Sequence, residues 1–312
     1  MEAKNQSHTA HIIQSLIVNL LITLMKGVAA FMTKSGAMLA ETIHSFADCF
    51  NQGLLLLGVK QAQKPADQMH PLGYGRSVYF WSFMVAMLLF SLGGMFSIYE
   101  GIHKINHPEP VENLMWGVSV LVFSILLEGY AAYSNIVELN KRRGQKGFYS
   151  FLKSTKDSDL VVIFGENSAA VIGLTFALGA LLLSYYTGDG QYDGLGSLAI
   201  GLILVGVAVF LAQELKPLLI GESADDEIVQ KVQHIANKHP HINDVINCIT
   251  IQQGPGEVLM CIKIECLINL DTTQICQLID DFEQQVRKVC PEVKWMYVEP
   301  DLRRSDYKPA PR

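Results

Sequence analysis

Charge is scarce in this chain, and so are breaks in its long apolar runs. Only 17% of the residues are charged against 50% hydrophobic, which excludes an ordinary soluble globule of this length and favours a membrane protein. The formal net charge of −6 leaves no basic face, so a nucleic-acid partner is excluded. The six cysteines include no C-x-x-C pair, and their spacing fits neither a disulfide framework nor a zinc knuckle. They read as buried thiols of a reducing compartment. No H-E-x-x-H or G-x-S-x-G occurs, and no enzyme is expected. No small-residue cleavage signal precedes the first apolar run, so that run is expected to be retained.

Six stretches are long and apolar enough to cross a bilayer: 12–32, 38–60, 78–102, 113–137, 160–186 and 194–213. The second is weakened by polar residues, and the fifth opens on the interruption "FGENSAA". Lys60, Lys64 and Arg76 follow the second stretch. Lys141, Arg142, Arg143, Lys146, Lys153 and Lys156 follow the fourth. The alternate loops hold only Lys34 and Lys104, so the positive-inside rule places both termini in the cytoplasm.

Beyond the apolar half, 225–238 has helical spacing, and "DVINCITIQQ" and "EVLMCIKIECLI" alternate as strands around Gly-Pro-Gly at 254–256. "TTQICQLIDDFEQQVRKV" reads as an amphipathic helix capped by Thr272, with Asp280, Asp281 and Glu283 on its wet face. "VKWMYVEP" closes as a strand. The expected architecture is an α-helical membrane protein with six transmembrane helices and a cytoplasmic α+β, ferredoxin-like αββαβ domain. Its parts are an N-terminal cytoplasmic segment (1–11), a transport domain (12–213), the α+β domain (214–302) and a disordered tail (303–312).

The second stretch carries His44 and Asp48, one helical turn apart on one face. An imidazole nitrogen and a carboxylate oxygen both suit a zinc-like dication. Ionisable groups at membrane depth cost several kcal/mol and usually mark a pathway or a site. Glu166, Asn167 and Ser168 repeat the anomaly on the fifth stretch, where Ala169 and Ala170 allow close helix approach. Glu128, inside the fourth, is a candidate proton or supporting group. The competing reading of His44–Asp48 is a hydrogen-bonded pair that only holds the bundle together; the further acids on two other stretches favour a site. Asn19, Lys26 and Asn51 read as packing or snorkelling residues.

Together these features resemble the cation diffusion facilitator family of zinc transporters. "HPLGYGR" at 70–76 is similar to the family's loop before the third span, and "EPDL" at 299–302 to the end of its last strand. "ETIHSFADCFNQ" and "GENSAAVIGL" are nearest the branch with H-x-x-x-D on the second span and E-[DN]-S-A-A on the fifth. The resemblance implies a homodimer in the lipid bilayer, with no bound cofactor. It would export a divalent cation, zinc foremost, against protons by alternating access. His44, Asp48 and Glu166 match the metal-binding positions, with Asn167 a candidate fourth ligand. The usual second H-x-x-x-D is missing, because Val162 and Ala170 flank Glu166 at four residues. His70 is a candidate way-station for arriving metal, its loop otherwise reading as a tight turn at the headgroups. His234, His239 and His241 are candidates for a regulatory metal site, or for surface and capping roles. Manganese, cobalt or iron as substrate, an intramembrane hydrolase and a non-transporting scaffold working through 222–302 are the rival readings. Metal and protons compete for such ligands, and an unperturbed histidine titrates near neutrality.

Overall fold

A computed structural model of the chain defines residues 19–145, 147–156 and 158–302, the described residues below. The expectations for 1–11, for the start of the first span, for Lys146 and for the tail after 302 fall outside them.

The apolar half is helical throughout. Helix α1 (Asn19–Thr33) turns at Lys34, whose φ of 53° reverses the chain into α2 (Gly36–Ala62). Then come α3 (Ser77–Asn106), α4 (Leu114–Arg142), the short α5 (Phe148–Ser154), α6 (Ser158–Thr187) and α7 (Gln191–Ile220). Among the described residues, four helices are long and apolar enough to cross a membrane: α3, α4, α6 and α7. Helix α2, at 27 residues, reaches about 40 Å at 1.5 Å per residue. Its polar load keeps it out of that apolar set.

Two devices shape this bundle. Helix α3 widens into a π-helical segment over Leu89–Met95, an insertion that rotates the face presented by everything after it. Glycines then let α3 and α7 touch backbone to backbone. A Cβ on Gly101 would lie 2.6 Å from the Leu198 nitrogen, and one on Gly201 would lie 2.7 Å from the Ile98 nitrogen. The face of α3 opposite that seam is left outward.

Asp193, in the first turn of α7, closes the start of α2. Its carboxylate accepts from the Ser35 hydroxyl at 2.5 Å and from the Gly36 and Ala37 amides at 2.5 and 3.3 Å. Those amides belong to the first turn of α2 and have no partner within their own helix, so a side chain from another helix performs the cap.

The chain divides into two compact units. Among the described residues, one holds 19–60, 80–145, 147–152 and 158–215; the other holds 61–79, 153–156 and 216–302. The second unit holds α8 (Asp226–Lys238), β1 (Ile242–Gly254), β2 (Glu257–Cys266), α9 (Thr272–Val289) and β3 (Val293–Asp301). The sheet order is β1-β2-β3, with β1 and β2 antiparallel and β2 and β3 parallel. Val232 and Ala236 of α8 and Leu278, Phe282 and Val286 of α9 bury their apolar stripes against Val258, Met260, Ile262 and Ile264. On the other face, Ile249, Cys261 and Tyr297 stand side by side across the three strands, all exposed.

One expectation is corrected here. Asp271, not Thr272, caps α9: its carboxylate accepts the Gln274 amide while the Gln274 side chain accepts the Asp271 amide. A carboxylate three residues ahead of a glutamine makes a reciprocal capping box, and it outcompetes the threonine beside it.

Candidate functional site

Helix α2 presents two polar stripes. Glu41 and Ser45 form one; His44, Asp48 and Asn51 form the other, each a turn or less from the next. Glu41, His44 and Asn51 are fully buried.

The second stripe is joined by α6. Asn51 donates its amide to a Glu166 carboxylate oxygen at 2.6 Å, and the Asp48 and Glu166 carboxylates stand within reach of each other's charge. Two turns further along, Gly173 of α6 lies directly against the Glu41 carboxyl, which would have to shift to admit a Cβ there. Contacts that run down α2 as they run up α6 make the two helices antiparallel neighbours. His44 Nδ1 stands 3.7 Å from Asp48 Oδ1, beyond hydrogen-bond length.

The polar accounting of this stripe is unusual. Among the described residues, both nitrogens of His44, Oδ1 of Asp48, Oδ1 of Asn51 and Oε1 of Gln52 are buried without a hydrogen-bond partner. Buried polar atoms are normally paired, because each orphan costs about 1–3 kcal/mol. Here several orphans of ligand-capable type converge on one helix face. They are the donor set that a borderline dication takes: imidazole nitrogen, carboxylate oxygen and amide oxygen.

The first stripe is more fully paired: each of its residues has a partner, although Oε1 of Glu41 has none among the described residues. Lys26 of α1, fully buried, donates to Ser45 Oγ at 2.7 Å and to Glu128 of α4 at 2.6 Å, and pairs with Glu41 at 3.5 Å. Lys26 therefore does not snorkel. Its ammonium points inward because two acids from two other helices are there to receive it. Glu128, expected as a proton or supporting group, is one of these partners. Asn51, taken from the sequence as a packing residue, supplies the amide at Glu166. Asn167 is half-buried and, among the described residues, makes no side-chain hydrogen bond to the group.

The remaining candidates lie in the second unit. His70 is exposed beside Asp67, whose carboxylate accepts from the His70 amide and the Tyr74 hydroxyl. Those bonds, the tyrosine's foremost, hold the Asp67 carboxyl below the usual carboxylate range. The loop itself lies on the β1–β2 hairpin: a Cβ on Gly75 would sit 2.6 Å from the Gln253 carbonyl oxygen. His234 is exposed on α8. His239 is buried and accepts the His241 amide at Nδ1 over 3.4 Å; burial, then the neighbouring His241, lowers its pKa. His241 opens onto a cleft of about 430 Å³ that also takes in Glu265 and Cys266. The three histidines are not gathered at one point, and among the described residues no group of three or more metal-ligating side chains is already closed around an ion's position.

Residues 12–220 match the family model for the cation efflux transmembrane domain. The chain is 30% identical over 282 residues to the "Proton-coupled zinc antiporter SLC30A9, mitochondrial" of Homo sapiens, covering 90% of this chain and 49% of that protein. It is 30% identical over 258 residues to "Metal tolerance protein C4" of Arabidopsis thaliana, covering 82% and 56%. The chain thus spans about half the length of these relatives. Among solved structures, "MamM-CTD 215-293" matches at 13% identity with a TM-score of 0.24, covering 25% of this chain and 98% of that one.

Proposed function

Because the chain belongs to the cation efflux family, we propose that it is a secondary transporter that exports a divalent metal cation, zinc foremost, from the cytoplasm in exchange for protons. The unpaired buried atoms of His44, Asp48 and Asn51 beside Glu166 carry this reading. An imidazole among the ligands favours zinc over harder ions, which prefer oxygen alone. Manganese, cobalt and iron are the runners-up.

His44, Asp48 and Glu166 would hold the ion, with Asn51 in the place first given to Asn167. The Asn51 amide donates to Glu166 when no metal is present; turned over, its carbonyl oxygen faces the ion instead. Ligands bind metal only when deprotonated, so each arriving ion displaces protons and each arriving proton loosens the ion. The Glu41 and Glu128 carboxyls already share the Lys26 ammonium, whereas among the described residues the neighbouring stripe has no cation of its own, which leaves it as the place where an incoming dication is needed. Helices α1 and α2 complete six spans with the four apolar ones, and the positive loops put both termini in the cytoplasm. The row of Ile249, Cys261 and Tyr297 offers an apolar sheet face to a second copy, in keeping with a homodimer.

Proteoliposomes loaded with a zinc-sensitive dye test the reading. Zinc flux should collapse in Asp48→Ala and drive a measurable proton counterflow in the parent. Flux equal in parent and variant would instead favour a scaffold role, and flux indifferent to an imposed pH gradient would remove proton coupling.

A further inference from the structure

Away from the α2–α6 cluster, one helix face carries metal-binding chemistry that transport through the bundle does not use. His103 lies in the last turn of α3, and His107, four residues on, is the residue that caps the helix just past Asn106. Their rings are stacked, with centroids 5.1 Å apart and 28° between planes. The His107 amide donates to the His103 carbonyl at 2.9 Å, so the helical rise that aligns the pair runs through both. Both side chains are exposed, and the Tyr99 ring continues the stripe 6.3 Å from His103. This is the face left outward by the Gly101 seam with α7.

We propose that His103 and His107 form a second metal site, a two-imidazole chelate for a zinc- or copper(II)-type dication whose remaining positions are filled by water. The spacing fits such an ion. With a metal–nitrogen bond of about 2.1 Å, a ring nitrogen roughly 1.1 Å from its centroid and a tetrahedral angle of about 109°, the two centroids fall about 5.2 Å apart. Rings at 5.1 Å already have that separation, and turning them about their side-chain bonds would aim one nitrogen of each at a shared ion. The nearest cation does not oppose this. Lys104, one residue on, is turned inward, its ammonium donating to the Lys34 carbonyl at 2.6 Å and pairing with Glu109 at 3.4 Å.

Position gives the site its use. The pair stands where three turns of the bundle meet. Glu112 donates its amide to the Thr33 carbonyl, and the Gly190 backbone packs against that of Glu109. Helix α4 ends and helix α6 begins at the opposite end of the bundle. If the transport reading holds, this is the release end, and the chelate receives ions that have left the inner cluster. Cation binding by the pair does not depend on that reading.

The test uses the full chain in lipid nanodiscs, carrying His44→Ala and Asp48→Ala to empty the inner cluster, with copper(II) as probe. Electron paramagnetic resonance should show one copper per chain coupled to two imidazole nitrogens. His103→Gln or His107→Gln should weaken this binding on the order of tenfold or more, and the double substitution should abolish it. His239→Gln with His241→Gln, the control, should leave it in place. A two-nitrogen signal that survives the His103→Gln/His107→Gln double variant, or that is absent before either substitution, overturns the proposal. Zinc flux in chains with the inner cluster intact is read separately, so loss of transport and loss of this chelate are distinguishable.

Discussion

The two polar stripes of α2 share a helix and a depth, yet they differ in how far they are paired: among the described residues the first leaves only Oε1 of Glu41 without a partner, the second leaves both His44 nitrogens, Asp48 Oδ1 and Asn51 Oδ1. Glu41 and Ser45 meet Lys26 and, through it, Glu128. His44, Asp48 and Asn51 keep atoms without partners. A polar residue buried in an apolar bundle is therefore not in itself a sign of a site. The informative state is burial without a partner, because folding should have removed it unless something else was to fill the place.

Substitutions that unsettle this contrast should rank as follows. Asp48→Ala should cut metal flux at least about a hundredfold while leaving the fold intact, measured as initial rates in proteoliposomes. A variant that transports normally would erase the distinction between the stripes. Lys26→Met should do the reverse, acting first on stability. Stranding the buried Glu41 and the half-buried Glu128 costs about 3–5 kcal/mol, seen as a lower thermal midpoint in detergent. Much of that loss should return when Glu41→Gln and Glu128→Gln are added, since the partners then carry no charge. Asn51→Ala should lie between, with metal affinity reduced about ten- to hundredfold in equilibrium binding and little change in thermal midpoint. Smallest is Asp271→Ala, which removes the α9 cap and should cost about 1 kcal/mol. Its shift in thermal unfolding, with flux unchanged, marks the scale of a purely structural loss.

What the sequence made legible follows from the range of the interactions. His44 and Asp48 are four residues apart on one helix, and Glu166 interrupts an apolar run, so both stand out locally. The strands around Gly254 and Gly256 declare themselves by alternation. Lys26 was misread because its partner Glu128 lies 102 residues away; on its own helix it looks like any lysine reaching for the surface. The sequence ranks Asn167 above Asn51 as a ligand for the same reason, since the choice depends on how α2 and α6 are rotated. The π-helical segment at Leu89–Met95 left no trace in residues that are apolar or small throughout. The spacing of His103 and His107 is plain in the sequence, but only the outward face of α3 gives it meaning.

The closure of α2 by Asp193 sets a limit on how this helix can move. With its first turn fastened to the start of α7, α2 cannot slide along its own axis without dragging α7 with it. It can still swing about that fastened end like a lever. Asp48 lies twelve residues further on, about 18 Å along the axis at 1.5 Å per residue, so a tilt of about 10° would sweep its carboxylate through about 3 Å. That is enough to take a ligand out of coordination while the pivot stays still.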